Sequence, residues 1–385
     1  MADLKRSAAV LGIGVSDWAA DYQLCRQGER PNDSYGYAAT AFSRALADAR
    51  IDRSLIDGLI VGPTIGSERT GEILGIDPRW GGQADAGMAT IQACMAIRCG
   101  MASMVALVYG NDQRSAAVQY GGPEAMGGQN YLSYVYHAPW GLTSQGALYA
   151  LMFQRYCQVH GMPADALGPI AVAQRANASR NPEAIMRREI TLADYAAAAF
   201  VCEPLRLLDY CLVNDGGVCL LLSDPSLAKR GSRPPVYVEG VGRADLNHNA
   251  TSLEPRLLDF YLPAQRLAAE QVYEMAGVGP EEVDALQVYD SFSCHILFAL
   301  EGFGFCAPGE GPQFIARRGL RFDEGLPVNT GGGHLSESYM QGWNHQVEAV
   351  RQLRGEGGAR QVKDCRRVQY ISDVAGKVVS IMYGN

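Results

Sequence analysis

At 385 residues the chain is long enough for two domains, each with its own hydrophobic core. Its 48% hydrophobic and 19% charged composition excludes a disordered polypeptide. A formal net charge of −8 argues against nucleic acid as a partner, although a few local arginines could still hold a phosphorylated ligand.

The first apolar run, residues 8–15, stops at Ser16-Asp17. It is too short to span a membrane and predicts a first strand in a cytoplasmic protein. Residues 59–61 and 104–109 predict two more buried strands. Between them residues 90–98 have helical composition, with Gly100 as the stop. A long excursion runs from about Asp112 to about Asp209. Its Tyr131, Tyr134, Tyr136 and Trp140 either pack beneath a loop or form a lid over an apolar substrate, and residues 148–159 are amphipathic. The charged, Pro-rich stretch 224–235 marks a boundary near residue 234. Beyond it, residues 236–241, 285–288 and 378–383 predict strands, and 346–354 a helix ending near Gly355. Such alternation predicts an α/β fold with mixed or parallel sheets.

The chain also repeats itself. Residues 45–61 (ALADARIDRSLIDGLIV) match residues 272–288 (VYEMAGVGPEEVDALQV) at an offset of 227, Asp57 to Asp284. Ala49 pairs with Ala276, Ile51 with Val278, Ile56 with Val283, Leu59 with Leu286 and Val61 with Val288. This register predicts an internal duplication, with halves at 1–234 and 235–385. The ten cysteines are thinly spread and read as small core residues in a reducing compartment, Cys94 and Cys99 inside a buried helix. No combination of the six histidines has a zinc spacing, so no metal is expected. Arg317, Arg318 and Arg321 read as solvated surface.

Two such halves with an excursion in the first resemble the thiolase superfamily, most closely its sterol-carrier-protein type. Residues 181–191 and 209–222 (DYCLVNDGGVCLLL) are similar to the stretch leading into the last strand of that family's first half. The resemblance implies two mixed-sheet halves in αβαβα layers, with a loop-domain insert at about 112–209. A thiolase carries its nucleophilic cysteine in C-x-x-G at the start of a buried helix, where the helix dipole lowers the thiol pKa. The matching block is Ala84-Asp85-Ala86-Gly87, so the nucleophile is missing. Cys94 lies ten residues on, about 15 Å along a helix, and cannot replace it.

The family's N-x-x-G-G run ending in a catalytic histidine is matched by 329–339, with Asn329, Gly332 and His334 inside it and Tyr339 at the histidine position. Its His-Asp-Cys-Phe block is matched by Tyr289-Asp290-Ser291-Phe292, and the C-terminal turn 373–376 has no cysteine. Two tyrosines in place of two histidines resemble the steroid side-chain-cleaving aldolases of the superfamily. That resemblance implies an acid–base pair, Tyr289 and Tyr339, for retro-aldol cleavage of a β-hydroxyacyl-CoA. Asp290, Gly332, Asn329 and His334 are then possible oxyanion or substrate contacts, although His334 could equally be bound within its own glycine turn. Coenzyme A enters only as part of the substrate, with no cofactor in the chain. The resemblance further implies a homodimer through the first-half strands and a small OB-fold/zinc-ribbon partner. Two other readings stand beside it: a thiolase-like acyltransferase using another cysteine, and a non-catalytic acyl-CoA-binding subunit.

Overall fold

The computed structural model describes residues 4–118, 140–141, 144–246, 261–374 and 376–385. In chain order it shows β1 (Ala9–Val15), α1 (Trp18–Arg26), α2 (Ser34–Ala49), β2 (Gly58–Val61), α3 (Ser67–Leu74), β3 (Trp80–Gln83), α4 (Ala86–Arg98) and β4 (Met104–Asn111). The excursion contributes α5 (Gln145–His160), α6 (Gly168–Ser179), α7 (Leu192–Ala197) and a small hairpin, β5 (Phe200–Cys202) and β6 (Leu205–Arg206). Then come β7 (Gly216–Ser223), β8 (Val236–Asp245), α8 (Leu262–Ala276), β9 (Ala285–Val288), α9 (Cys294–Gly302) and α10 (Gly311–Arg318). The chain ends with α11 (Gly333–Ser336), α12 (Trp343–Arg354), β10 (Arg367–Val374) and β11 (Lys377–Gly384).

Nine strands form one mixed sheet in the order β3-β2-β4-β7-β1-β8-β11-β10-β9. Among the described residues its two halves meet only where β1 and β8 pair, Ala9 with Tyr237 and Val10 with Val236. Helices α4 and α12 each pack on strands of both halves, which makes them the middle layer. Their core joins Ala93 and Ile97 of α4 and Val347 and Val350 of α12 to Leu107 and Leu220 on one side and Val368 and Ile381 on the other. Outside, α2 covers one half with Ala38, Ala41, Phe42 and Ala45, and α8 covers the other with Ala264, Ala268 and Val272. The result is the five-layered thiolase fold.

The duplication is visible atom by atom. Helices α2 and α8 stop at Ala49 and Ala276, and Arg50 and Gly277 each close the helix in the left-handed conformation. Single helical turns follow at Arg53–Leu55 and Pro280–Glu282. Asp57 accepts the Ser103 and Met104 N–H groups at 2.8 Å, and Asp284 accepts those of Arg366 and Arg367 at 2.8 Å. The same carboxylate thus ties each copy to the start of its parallel neighbour. Close approach of helix to sheet is duplicated too: a Cβ on Gly14 would stand 2.1 Å from the Ala41 carbonyl, and one on Gly242 2.0 Å from that of Ala268. Any side chain there would lift the helix off the sheet.

Several sequence expectations shift. Helix α4 begins at Ala86, because Asp85 caps it by accepting the Met88 N–H at 2.9 Å. Helix α12 begins at Trp343, one turn before the predicted start. Cys99 is exposed at the end of α4 and is not a core residue. Arg317 and Arg318 are exposed, as expected. Tyr131, Tyr134 and Tyr136 lie outside the described residues, whereas Trp140 is 87% exposed and so does not pack beneath a loop. Among the described residues no helix is long and apolar enough to cross a membrane.

Replacing Asp57 or Asp284 by alanine leaves two strand-end N–H groups without their carboxylate. Each variant should lose about 1–3 kcal/mol of stability, read as a lower urea midpoint at unchanged slope. Unchanged midpoints in both would remove the stitching role.

Candidate active site

Strand β9 ends at Val288, and the next residues, Tyr289 and Asp290, carry the site. The Tyr289 N–H continues the ladder by donating to the Ile371 carbonyl at 2.8 Å. On the other edge Asn329 grips Val288: its Oδ1 accepts the Val288 N–H at 2.6 Å and its Nδ2 donates to the Val288 carbonyl at 2.9 Å. The chain then turns through Gly332 (φ 106) and Gly333 (φ 59) into α11 and on to Tyr339. Asn214, just before β7, anchors that segment by accepting the Tyr339 N–H at 2.7 Å. The outcome is a phenol pair, with the Tyr289 and Tyr339 hydroxyls 3.0 Å apart. Burial pushes the Tyr289 phenol well above its ordinary range, only partly offset by the hydrogen bond to Tyr339.

Asp290 lies beneath the pair and has no exposed surface. It accepts the His334 N–H at 2.7 Å and, more weakly, the Leu335 N–H at 3.4 Å, so it caps α11 from a distant part of the chain. His345 of α12 lies with Nε2 3.0 Å from Asp290 Oδ1. Burial raises the Asp290 pKa, and the His345 contact is the largest influence in the opposite direction. His334 stands edge-on between the two tyrosines, with ring centroids 4.7 Å from Tyr289 and 4.8 Å from Tyr339.

Asp290, His334 and His345 offer ligand atoms within 4.8 Å of one another, the composition of a metal triad. The hydrogen bonds argue otherwise. Gly342 N–H donates to His334 Nε2 at 2.9 Å, so the ring proton sits on Nδ1, 3.7 Å from Asp290 Oδ1. A nitrogen that carries a proton is no ligand. Desolvation also holds His334 far below the usual imidazole range, so it is neutral. With Nε2 occupied as an acceptor, the ring donor left to His334 is Nδ1, on the Asp290 side of the ring. A Cβ on Gly342 (φ 88) would stand 2.2 Å from the Tyr370 hydroxyl oxygen and 3.1 Å from the Tyr289 ring, so only glycine fits where the N–H meets His334.

Ala84 directly precedes the α4 cap, at the mouth of a helix N-terminus, with its N–H on the Val61 carbonyl. The Asp85 carboxylate that caps α4 lies within electrostatic reach of the Tyr289 phenol and adds slightly to the rise of its pKa. One cysteine does come near. Cys211, which the sequence reading did not single out, lies within electrostatic reach of Tyr289 and Asp290. Burial pushes its thiol far above the usual range, so it stays protonated and is a poor nucleophile.

The predicted residues therefore divide. The structure brings Tyr289, Tyr339, Asp290 and His334 together. Asn329 spends its amide on the backbone of Val288, and Gly332 faces Ala178 of α6, 2.6 Å from where a Cβ would be. His345 was missed. Its signal is the run Trp343-Asn344-His345-Gln346 directly after Gly342, a polar turn that the fold buries completely.

His295 and His334 are both held below the exposed-imidazole value of 6.5, His295 at about 3. Each is neutral when folded and takes up a proton on unfolding below that value, so the stability they permit is complete above about pH 6.5 and is lost as pH falls. The loss approaches about 1.4 kcal/mol per pH unit for each imidazole. His295→Gln should remove one such contribution between about pH 6.5 and 5, read from urea midpoints. An unaltered acid slope would mean that His295 is protonated in the fold.

Residues 245–380 match the family described as thiolase C-terminal domain-like. The chain is 32% identical over 373 residues to the steroid side-chain-cleaving aldolase of Thermomonospora curvata, covering 92% of each. It is also 32% identical over 373 residues to the 17-hydroxy-3-oxo-4-pregnene-20-carboxyl-CoA lyase of Mycobacterium tuberculosis, covering 91% of this chain and 92% of the relative. Among solved structures, an Ltp2-ChsH2 (DUF35) aldolase superimposes with a TM-score of 0.89 at 29% identity, over 99% of this chain and 98% of that one. With a phenol pair in place of the thiolase residues, the chain belongs to the thiolase superfamily, in the branch of the steroid side-chain-cleaving aldolases.

Proposed function

We propose that this chain cleaves the α–β carbon bond of a β-hydroxyacyl-CoA whose acyl group is a steroid side chain, releasing a ketosteroid and a short acyl-CoA. The carrying observation is the hydrogen-bonded pair Tyr289–Tyr339, in a chain whose α4 start has no thiol. Tyr339 takes the proton of the β-hydroxyl while passing its own to Tyr289. The electrons of the hydroxyl bond form the ketone, and the α–β bond breaks. Its electron pair becomes the enolate of the departing thioester, and Tyr289 protonates the α carbon. Three protons move one place each, and both phenols finish as they began. No free phenolate is required, which suits a Tyr289 whose pKa burial has raised. The chain itself needs no metal or cofactor for these steps; coenzyme A belongs to the substrate.

Acyl transfer through another cysteine is disfavoured by the protonated state of Cys211. The same reading takes residues 1–234 and 235–385 as the two halves, in a cytoplasmic homodimer with a small OB-fold/zinc-ribbon subunit. The two-component name of the similar Ltp2-ChsH2 (DUF35) aldolase supports a partner of that kind.

Incubation with a tertiary β-hydroxy steroid CoA should give a ketone and a short acyl-CoA by mass spectrometry, with no mass added to the protein. Tyr289→Phe and Tyr339→Phe should each lower kcat by at least ~10²-fold. Absence of these products overturns the reaction, and near-full activity in both variants overturns the roles of the pair.

A further inference from the structure

Resting on that reading, we infer that His345 is a positioning residue for the tyrosine pair, acting through Asp290 and the ring of His334. Its Nε2 lies 3.0 Å from Asp290 Oδ1, and no exposed surface remains on either side chain. The same oxygen accepts the His334 N–H at 2.7 Å, and the His334 ring is the wedge between Tyr289 and Tyr339. His345 and His334 also meet edge to face, 4.3 Å between centroids. One hydrogen bond from α12 therefore reaches both phenols without touching either.

The physical role is to keep Asp290 ionised. A carboxylate with no solvent favours its neutral form, and a donated N–H is what holds the charge. The groups that face Asp290 are His345 from α12, His334 from α11, Tyr289 from its own segment and Cys211 from the segment before β7. Farther out, Asp85 acts on Tyr289 and His295 on His334. His334 is neutral, so the N–H of His345 is the side-chain donor in hydrogen-bond contact with the carboxylate. Once protonated, Asp290 Oδ1 is a weaker acceptor for the His334 N–H. The wedge then loosens, and the 3.0 Å contact between the phenols is no longer fixed.

His345→Phe keeps the ring volume and deletes the donor. Assayed with any subunit that co-purifies, it should lower kcat by about 10-fold or more at neutral pH with little change in KM. The acid limb of its kcat profile should move up by about one to two pH units, the worth of one hydrogen bond to a charge. His345→Gln, which retains an N–H at similar reach, should recover most of kcat and return the limb. A purely structural His345 would lower the melting temperature in H345F but leave the limb of the folded fraction in place. An unshifted limb, or failure of Gln to rescue, overturns the inference while wild-type cleavage upholds the reaction. If wild type itself cannot cleave the substrate, both fall. Should H345F not fold, Asp290→Asn replaces it: a lowered kcat with no Asp290-dependent acid limb is the expected result, and wild-type kcat and profile overturn the inference.

Discussion

Everything in this site hangs on one buried carboxylate. Asp290 follows Tyr289 directly and accepts backbone N–H groups from the turn that leads to Tyr339. It thereby fastens two segments that are far apart in the chain at the one point where their side chains must meet. Removing a carboxylate from water costs several kcal/mol unless donors replace the lost hydration. Here the donors are the start of α11 and the imidazole of α12. The cost is therefore accepted where it fixes geometry, and the geometry is the separation of two phenols.

The duplicated architecture explains why such a junction exists. In the first half the chain leaves β3 beside β2, passes Ala84 and enters α4. In the second, Val328 pairs beside β9, and the chain passes Asn329 to Tyr339 before α12. The two segments are counterparts, each lying between an outer strand position and a middle-layer helix. One has become Ala84, with Asp85 as a local cap whose charge would disfavour a thiolate. The other keeps its glycine turn, which brings Tyr339 to Tyr289. Loss of the thiol and the exchange of histidine for tyrosine are two parts of one change of chemistry, made within the strands that hold them.

How much of this was legible in the sequence varies by residue. Asp57 and Asp284 were visible because each opens a short buried strand after the same apolar spacing, and their shared role follows from that register. The block around Tyr339 was visible through the glycines and the asparagine that serve the backbone, and the block around Tyr289 through its place at the end of the duplicated strand. Strand β3 was not, since Trp80-Gly81-Gly82-Gln83 has too little apolar content to read as a strand, and its alternating half-exposure comes from its place at the sheet edge. The first turn of α12 failed for the opposite reason. Asn344, His345, Gln346 and Glu348 look like a solvated face, yet all are buried. Their partners lie outside the helix: Thr90 and the Ala86 carbonyl, far along the chain, for Gln346, Asp290 for His345, Arg360 for Glu348 and Glu337 for Asn344. Polarity marks exposure only when partners are absent, and long-range partners cannot be seen in a linear pattern.

That polar middle layer also bears on the choice of tyrosine. A histidine at either position, once protonated, would add a charge to a site closed to solvent, which burial disfavours. Phenols avoid this. Each can give and accept a proton through a single oxygen, and burial that raises a phenol's pKa suppresses the anion and strengthens neutrality. For acyl transfer such a site would be useless, because it generates no nucleophile. For a retro-aldol reaction it is suited, because the substrate's own hydroxyl supplies the proton that its own carbon must finally receive. The surrounding protein need only keep the two oxygens in line and the charge of Asp290 in place.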